Sequence, residues 1–291
     1  MVRCLAVSDE TDHTQRVESR RVRIAIITGS GTHALPGFSD AQAVSVATPF
    51  GEVEVVRGRF AAAEVLHISR HGAGHRRLSH QVPHRADIWA LSELGAEAVI
   101  GCTVCGAVDP SLPLGTLLVF DDLWFLSNRL PDGSLCTFFV QDGDPRRGHW
   151  ILHGGPFAAG VRRALVDGAA DAGHPARDGG TYGHVDGPRF NTPVEIAQLA
   201  ACGVTAVSQT GGPETVLCGE LELPFALLGY VTDHANEVHP GETTPVAVLQ
   251  EMMAASTATF AAVLEAAVRR LAGGGPPAAA GTMYRLQPRS A

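Results

Sequence analysis

Three short polar runs each end an apolar stretch between Thr181 and Asn236: Asp186-Gly187-Pro188-Arg189-Phe190, Ser208-Gln209-Thr210-Gly211 and Thr232-Asp233-His234-Ala235-Asn236. They bring a hydroxyl, an aromatic face and a lone acid, a set that suits a sugar and a planar base better than a metal. Asp233 has the clearest chemical use. A carboxyl in a water-poor pocket holds its proton to higher pH, and general acid assistance is typically worth ~10²–10⁴-fold. Outside such a pocket the same residue reads as a helix cap or a loop carboxylate.

Other groups follow apolar runs nearer the N-terminus. Gly29-Ser30-Gly31 does not complete G-x-G-x-x-G, which argues against a dinucleotide fold. Its glycines let backbone N–H groups turn toward an anion and Ser30 adds a hydroxyl; an ordinary tight turn would read the same. Arg70-His71 offers a planar fork matched to phosphate and a further donor. Thr103 and Val104 sit at another expected strand end. His71 and His75, like His80 and His84, are four apart, but no convincing third metal ligand accompanies either pair. Cys102-x-x-Cys105 has no partner motif, so it reads as small apolar residues around a turn rather than a redox pair or half a zinc site.

These groups need elements to hold them. Apolar runs predict strands near 23–27, 52–56, 62–69, 97–102, 115–120, 204–207 and 225–231. Helical spacing predicts helices over 83–94, 156–170, 213–221 and from Pro245 to about Leu271. Thr192-Pro193-Val194-Glu195 has a capping residue, Pro at the first helical position and Glu three on, so it starts a helix. Residues 121–155 form a long excursion with few periodic signals. The alternation predicts one α/β domain with helices on both faces of a sheet, and open sheets of that kind bind ligands outside the carboxyl ends of their strands.

With 291 residues and 45% hydrophobic content, one large core is feasible over residues 22–271. Residues 1–21 read as a polar mobile extension. Residues 272–291, beyond the Gly273-Gly274-Gly275-Pro276-Pro277 break, read as a flexible or docking tail. A net charge of −8 without a basic run argues against nucleic acid as a partner. No apolar run of bilayer-crossing length and no signal-type core stand out, and six scattered cysteines fit reduced thiols, so the expectation is a cytoplasmic protein with no membrane partner.

Taken in order, Ile26-Ile27-Thr28-Gly29-Ser30-Gly31, Thr48-Pro49-Phe50-Gly51, Ser69-Arg70-His71-Gly72, His84-Arg85-Ala86-Asp87-Ile88-Trp89-Ala90-Leu91, Thr103-Val104-Cys105-Gly106, Asp186-Gly187-Pro188-Arg189-Phe190, Gly212-Pro213-Glu214 and Val231-Thr232-Asp233 resemble the trimeric nucleoside phosphorylases. Within them the chain is most similar to the 5′-methylthioadenosine phosphorylase branch. The resemblance implies a three-layer αβα sandwich with a mixed, largely parallel central sheet, and a homotrimer. It implies no metal or organic cofactor, with inorganic phosphate as co-substrate. Carried over residue by residue, it places Ser30, Arg70, His71, Thr103, Val104 and Thr210 on phosphate. It places Asp186, Phe190, Gln209, His234, Ala235 and Asn236 around the nucleoside, with Asp233 catalytic. A 5′ pocket would be lined by His75, Val246, Val248, Leu249 and a neighbouring subunit. Arg189 reads as structural, paired with a carboxylate.

The chain departs from that branch in places. The branch reads Thr-Asp-Tyr-Asp where this chain has Thr232-Asp233-His234-Ala235, so the second acid is missing. Gln209 replaces a Met before the sugar-contacting Thr, and Asp186 replaces a Glu. Residues 121–132 lack the branch's Asp-Arg-Thr pattern. Phosphorolysis of 5′-methylthioadenosine or another 5′-deoxy-5′-substituted adenosine is the expected activity. A carboxylate at position 233 favours a 6-amino purine, where Asn would suit a 6-oxo purine. The alternatives are a 6-oxopurine nucleoside phosphorylase and a catalytically silent nucleoside-binding homologue.

Overall fold

Ile24-Ala25-Ile26-Ile27-Thr28 is buried at every position, which a strand achieves only when both faces of its sheet are covered. The computed structural model describes residues 22–30 and 35–285; the expected extension over 1–21, Gly31, Cys4 and the last part of the tail lie outside the described residues. The elements are β1 (Ile24–Thr28), β2 (Ser39–Thr48), β3 (Gly51–Phe60), β4 (Ala63–Ser69), α1 (His84–Glu93), β5 (Ala98–Ala107), β6 (Leu117–Val119), β7 (Asp122–Trp124), β8 (Gly148–Ile151), α2 (Ala159–Asp171), β9 (Arg177–Asp178), β10 (Thr181–His184), α3 (Pro193–Ala201), β11 (Val204–Ser208), α4 (Gly211–Glu220), β12 (Phe225–His234), α5 (Val246–Ala272) and β13 (Thr282–Arg285).

The period of two along the central strands divides the core into two layers. On β1, Ala25 and Ile27 join Ile88 and Leu91 of α1 and Leu217 and Cys218 of α4. Ile24 and Ile26 face the other way, onto Val161 and Leu165 of α2 and Val263, Leu264 and Val268 of α5. The sheet between them is mixed, in the order β2-β3-β4-β1-β5-β11-β10-β7, with β12 branching from β5 and carrying β6 and then β9. The result is the expected three-layer αβα architecture. α2 and α5 approach so closely that a Cβ on Gly168 would lie 2.7 Å from the Ala267 nitrogen.

Two sequence expectations change, and the tail takes the docking alternative. β5 does not stop at Cys102 but runs to Ala107, because it changes neighbours midway. Its first half pairs with β1 up to Ile27↔Gly101, and its second half pairs with antiparallel β11 at Val207↔Gly106. Cys102 and Cys105 therefore lie within one strand and face opposite core layers, which rules out a bond between them. The tail segment β13 docks on β8 of the excursion as an antiparallel pair. Finally, α5 is long and apolar enough to cross a membrane by length and composition, contrary to the sequence count. Phe260, Val263, Leu264, Ala267, Val268 and Leu271 bury its second half, as in a core helix of a folded domain.

Candidate active site at the gap in the sheet

The change of neighbour along β5 creates the site. β1 ends at Thr28 opposite Gly101–Cys102, and β11, running the other way, ends at Ser208. Two strand ends therefore meet head to head across Thr103 and Val104, and β4 ends beside them at Ser69. A cavity of about 270 Å³ opens there. It is lined by Ser30, Arg70, His71, Thr103, Val104 and Thr210, which are all six of the expected phosphate ligands. Polar groups that end strands in this way cannot complete a ladder, so they are free to face a ligand.

At this end of the cavity, Arg70 is 1% exposed. Its Nε and Nη2 donate to the two carboxylate oxygens of Glu214 at 2.7 and 2.8 Å, and Nη1 donates to the Cys102 carbonyl at 2.6 Å. Burial works against the charge, but the Glu214 carboxylate outweighs it and the guanidinium stays charged. Three of the five guanidinium N–H groups are engaged, which leaves two for an anion. Gly29 passes directly over Nη1, where any Cβ would collide. The Thr103 and Ser208 hydroxyls are 3.0 Å apart.

His71 differs from the expected donor. Its Nδ1 donates to the Arg77 carbonyl at 2.9 Å. Burial, with Arg70 and His75 beside it, pushes its pKa down to about 3, so the ring is neutral. Nε2 is then an acceptor, suited to the O–H of a protonated phosphate oxygen. His75 stacks on it at 4.3 Å and shares a 2.9 Å hydrogen bond with Ser30, so the pair forms a wall rather than a metal site.

Asp233 reaches the same cavity from β12, positioned by a bulge. β12 pairs with β5 as Val231↔Cys105 and then Asp233↔Gly106, so Thr232 is the extra residue. Bulges re-aim side chains in this way. The Thr232 hydroxyl donates to Asp233 Oδ1 at 2.8 Å, and Oδ2 lies 3.0 Å from where a Cβ on Gly106 would sit. Burial raises the Asp233 pKa, partly opposed by the Thr232 bond and by His234. Gly106→Ala should displace the carboxyl while leaving the fold intact. A displacement near 1 Å costs on the order of 10²-fold; kcat would fall by about that much with the melting temperature nearly unchanged. Unchanged kcat would show that the carboxyl position does not matter.

Of the expected nucleoside residues, Phe190, Gln209, Ala235 and Asn236 line the cavity; Asp186 and His234 do not. Strand alternation explains the second. Val185 takes the cavity side and leaves Asp186 exposed. Asp233 takes it on β12, so His234 turns away to the Leu112 carbonyl at 2.9 Å and packs against His239. In the 5′ set, His75 and Leu249 line the cavity, whereas Val246, 69% exposed, and Val248 do not. Leu249 and Met253 are one turn apart on the same face of α5, and each residue step turns the helix by about 100°, which carries Val248 off that face.

Gln209 is not an open amide. Ser79 donates to its Oε1 at 2.7 Å and its Nε2 donates to the Arg189 carbonyl at 3.0 Å, so it straps two loops together at the mouth. Arg189 pairs with Glu195 through both terminal nitrogens, as expected. Ser79, Asn191, Ser208 and Met253 also line the cavity and were missed. Ser208 and Asn191 stood next to residues singled out, so strand-end position could have found them; Ser79 and Met253 carried no signal.

The Phosphorylase superfamily matches residues 23–269. The 6-oxopurine nucleoside phosphorylase of Pyrococcus furiosus is 33% identical over 233 residues, covering 79% of this chain and 86% of the relative. The S-methyl-5′-thioadenosine phosphorylase of Mycobacterium tuberculosis is 35% identical over 225 residues, covering 75% and 78%. The solved methylthioadenosine phosphorylase of Schistosoma mansoni in complex with adenine superposes with a TM-score of 0.77 at 26% identity, over 88% of this chain and 93% of that one. Sequence and fold agree along nearly the whole domain, and the chain belongs to the phosphorylase superfamily.

Proposed function

We propose that the chain is a pentosyltransferase that cleaves the N-glycosidic bond of a purine nucleoside with inorganic phosphate. The preferred substrate is a 5′-deoxy-5′-substituted adenosine, most simply 5′-methylthioadenosine. The observation that carries this reading is one cavity with two chemically distinct ends. Arg70, Thr103, Ser30 and Thr210 converge at one, and a half-buried Asp233, whose pKa burial raises, sits at the other. Phosphate attacks C1′ from the face opposite the base. Asp233 gives its proton to the departing purine at N7, which removes the negative charge that makes the base a poor leaving group. Phe190 offers a ring to base or ribose, and Leu249 with Met253 offers an apolar surface to the 5′ substituent. No protein nucleophile is needed; positioning and electrostatics supply the acceleration.

Phe190 is 63% exposed at the cavity, and Val194 at 80% and Val246 at 69% are further exposed apolar side chains. Apolar surface of this kind is what a second copy of the chain would cover in a homotrimer.

A specific observation favours a second reading, a 6-oxopurine substrate. Asn191 Nδ2 donates to Glu195 at 3.1 Å and Asn236 Nδ2 donates to the Asn191 carbonyl at 2.5 Å. Both partners only accept, so the amide orientations are set, and each Oδ1 remains an acceptor suited to a purine N1–H. Base release from 5′-methylthioadenosine, adenosine and inosine, each with and without phosphate, separates the readings. Phosphate-dependent adenine release, fastest with the 5′-thioether, supports the first; faster release from inosine establishes the second. Release that ignores phosphate would mean hydrolysis and sink both.

A further inference from the structure

The loop between β10 and α3 carries the exposed aromatic ring of the cavity, but no helix or strand holds it. Pro188, Arg189 and Phe190 are exposed, and Phe190 and Asn191 line the cavity. On its own side the loop is tied by Arg189 and Asn191 to Glu195 of α3, and by Asn236 to the Asn191 carbonyl. The Arg189–Glu195 ion pair is open to solvent, where such pairs contribute little.

Another tie crosses the cavity mouth. Gln209, just beyond β11, accepts from the Ser79 hydroxyl at 2.7 Å and donates through Nε2 to the Arg189 carbonyl at 3.0 Å. That carbonyl only accepts, so it decides which end of the amide is nitrogen, and Oε1 is left for Ser79. Ser79 is itself 8% exposed. Its turn begins at the phosphate end: His71 donates to the Arg77 carbonyl, and the Arg77 N–H returns to the His71 carbonyl at 3.0 Å. The Gly187 backbone closes over the strap, where any Cβ would collide with both Gln209 Oε1 and Ser79 Oγ. A hydrogen bond shielded from water in this way is stronger than one in the open.

We propose that Gln209 is a positioning residue for the nucleoside: with Ser79 it fixes the 186–191 loop before substrate arrives, so that Phe190 and Asn191 meet base and sugar already ordered. This rests on the purine-nucleoside reading given above. Without the strap the loop is ordered only on binding, and each side chain immobilised at that point costs affinity. Ground state and transition state lose the same interaction, so KM rises while kcat holds.

Phosphate-dependent base release by the full chain tests this in wild type, Gln209→Met, Gln209→Glu, Ser79→Ala and the Gln209→Met/Ser79→Ala double variant. The nucleoside is 5′-methylthioadenosine, or inosine should wild type cleave that faster. Met keeps the length and roughly the volume of Gln but makes neither bond. Glu can still accept from Ser79 but sets a carboxylate against the Arg189 carbonyl. In both variants the nucleoside KM should rise about tenfold, with kcat within about threefold and the phosphate KM within about twofold. Ser79→Ala should raise the nucleoside KM too, and the double variant should be no worse than Gln209→Met, because both changes open the same strap. Ser79→Ala also keeps the test available if the Gln209 variants do not fold. An unchanged nucleoside KM, additive effects in the double variant, or a phosphate KM that rises as far as the nucleoside KM would each overturn the assignment. A wild type with no phosphate-dependent release from either nucleoside would instead remove the proposed function, and this role with it.

Discussion

Asp233→Asn should lower kcat by ~10²–10⁴, the usual worth of a general acid, and leave phosphate binding intact. The two effects separate because Asp233 pairs at Gly106, three residues along β5 from Thr103, and shares no hydrogen bond with Arg70. Asn keeps the shape and the Thr232 hydrogen bond but cannot protonate a leaving purine. The pH dependence carries a second signature. Burial raises the Asp233 pKa in the folded protein, so its proton is held to higher pH and activity falls as pH rises through that folded value. Asp233→Asn would erase this limb of kcat. The same shift sets the stability sign: a buried carboxyl with a raised pKa loses stability as pH rises above its unfolded value, so Asp233→Asn should be at least as stable as wild type at pH 7. Steady-state kinetics at saturating phosphate and a thermal melt at two pH values test this. Activity within about threefold of wild type would place the proton donor elsewhere. A relative gain on inosine would tie Asp233 to recognition of a 6-amino purine.

The largest stability effect is expected at the Arg70–Glu214 pair, whose side chains are 1% and 2% exposed. Glu214→Ala leaves a buried guanidinium uncompensated, which costs about 3–5 kcal/mol and lowers the melting temperature by roughly 10 °C. The pair itself gives little net stability, because desolvation offsets its attraction. Replacing both residues by apolar groups of similar volume, Arg70→Met with Glu214→Leu, should therefore recover stability to near wild type. Phosphate-dependent turnover should remain absent, because the two spare N–H groups are gone. Denaturant unfolding and base release on the same samples make the comparison. A double variant that still turns over with phosphate would show that Arg70 has no part in the phosphate site.

The local parts of this fold were legible because local rules specify them. The Thr192 capping box forms as read, with the Thr192 side chain accepting from the Glu195 N–H and the Glu195 side chain reaching back. The unbroken apolar runs of β1 and β12 required two covered faces, and α1, α2, α4 and α5 start and stop within a few residues of expectation. That Ser30, Arg70, His71, Thr103, Val104 and Thr210 could share one site was legible too, since they stand at or near the ends of apolar runs, and all six line the cavity. β2 was missed because its residues are mostly exposed and its pattern carries little apolar alternation.

What the sequence could not carry was the register of long-range pairing. β5 looked like a strand ending at Cys102; β12 and β11, both more than ninety residues later, pair with its second half and extend it, and the switch from β1 to β11 on one edge opens the cavity. One extra residue at Thr232 decides that Asp233 faces inward and His234 outward, and a bulge depends on the opposing strand as much as on its own. Ser79 and Met253 reach the site from a loop and a helix with no chemical signal of their own. The sequence alone therefore specifies the strands, the helix starts and the inventory of donors and acids, because these follow from neighbours along the chain. Which of them share one cavity, and in what protonation state, follows from burial and strand register, which only the folded chain determines.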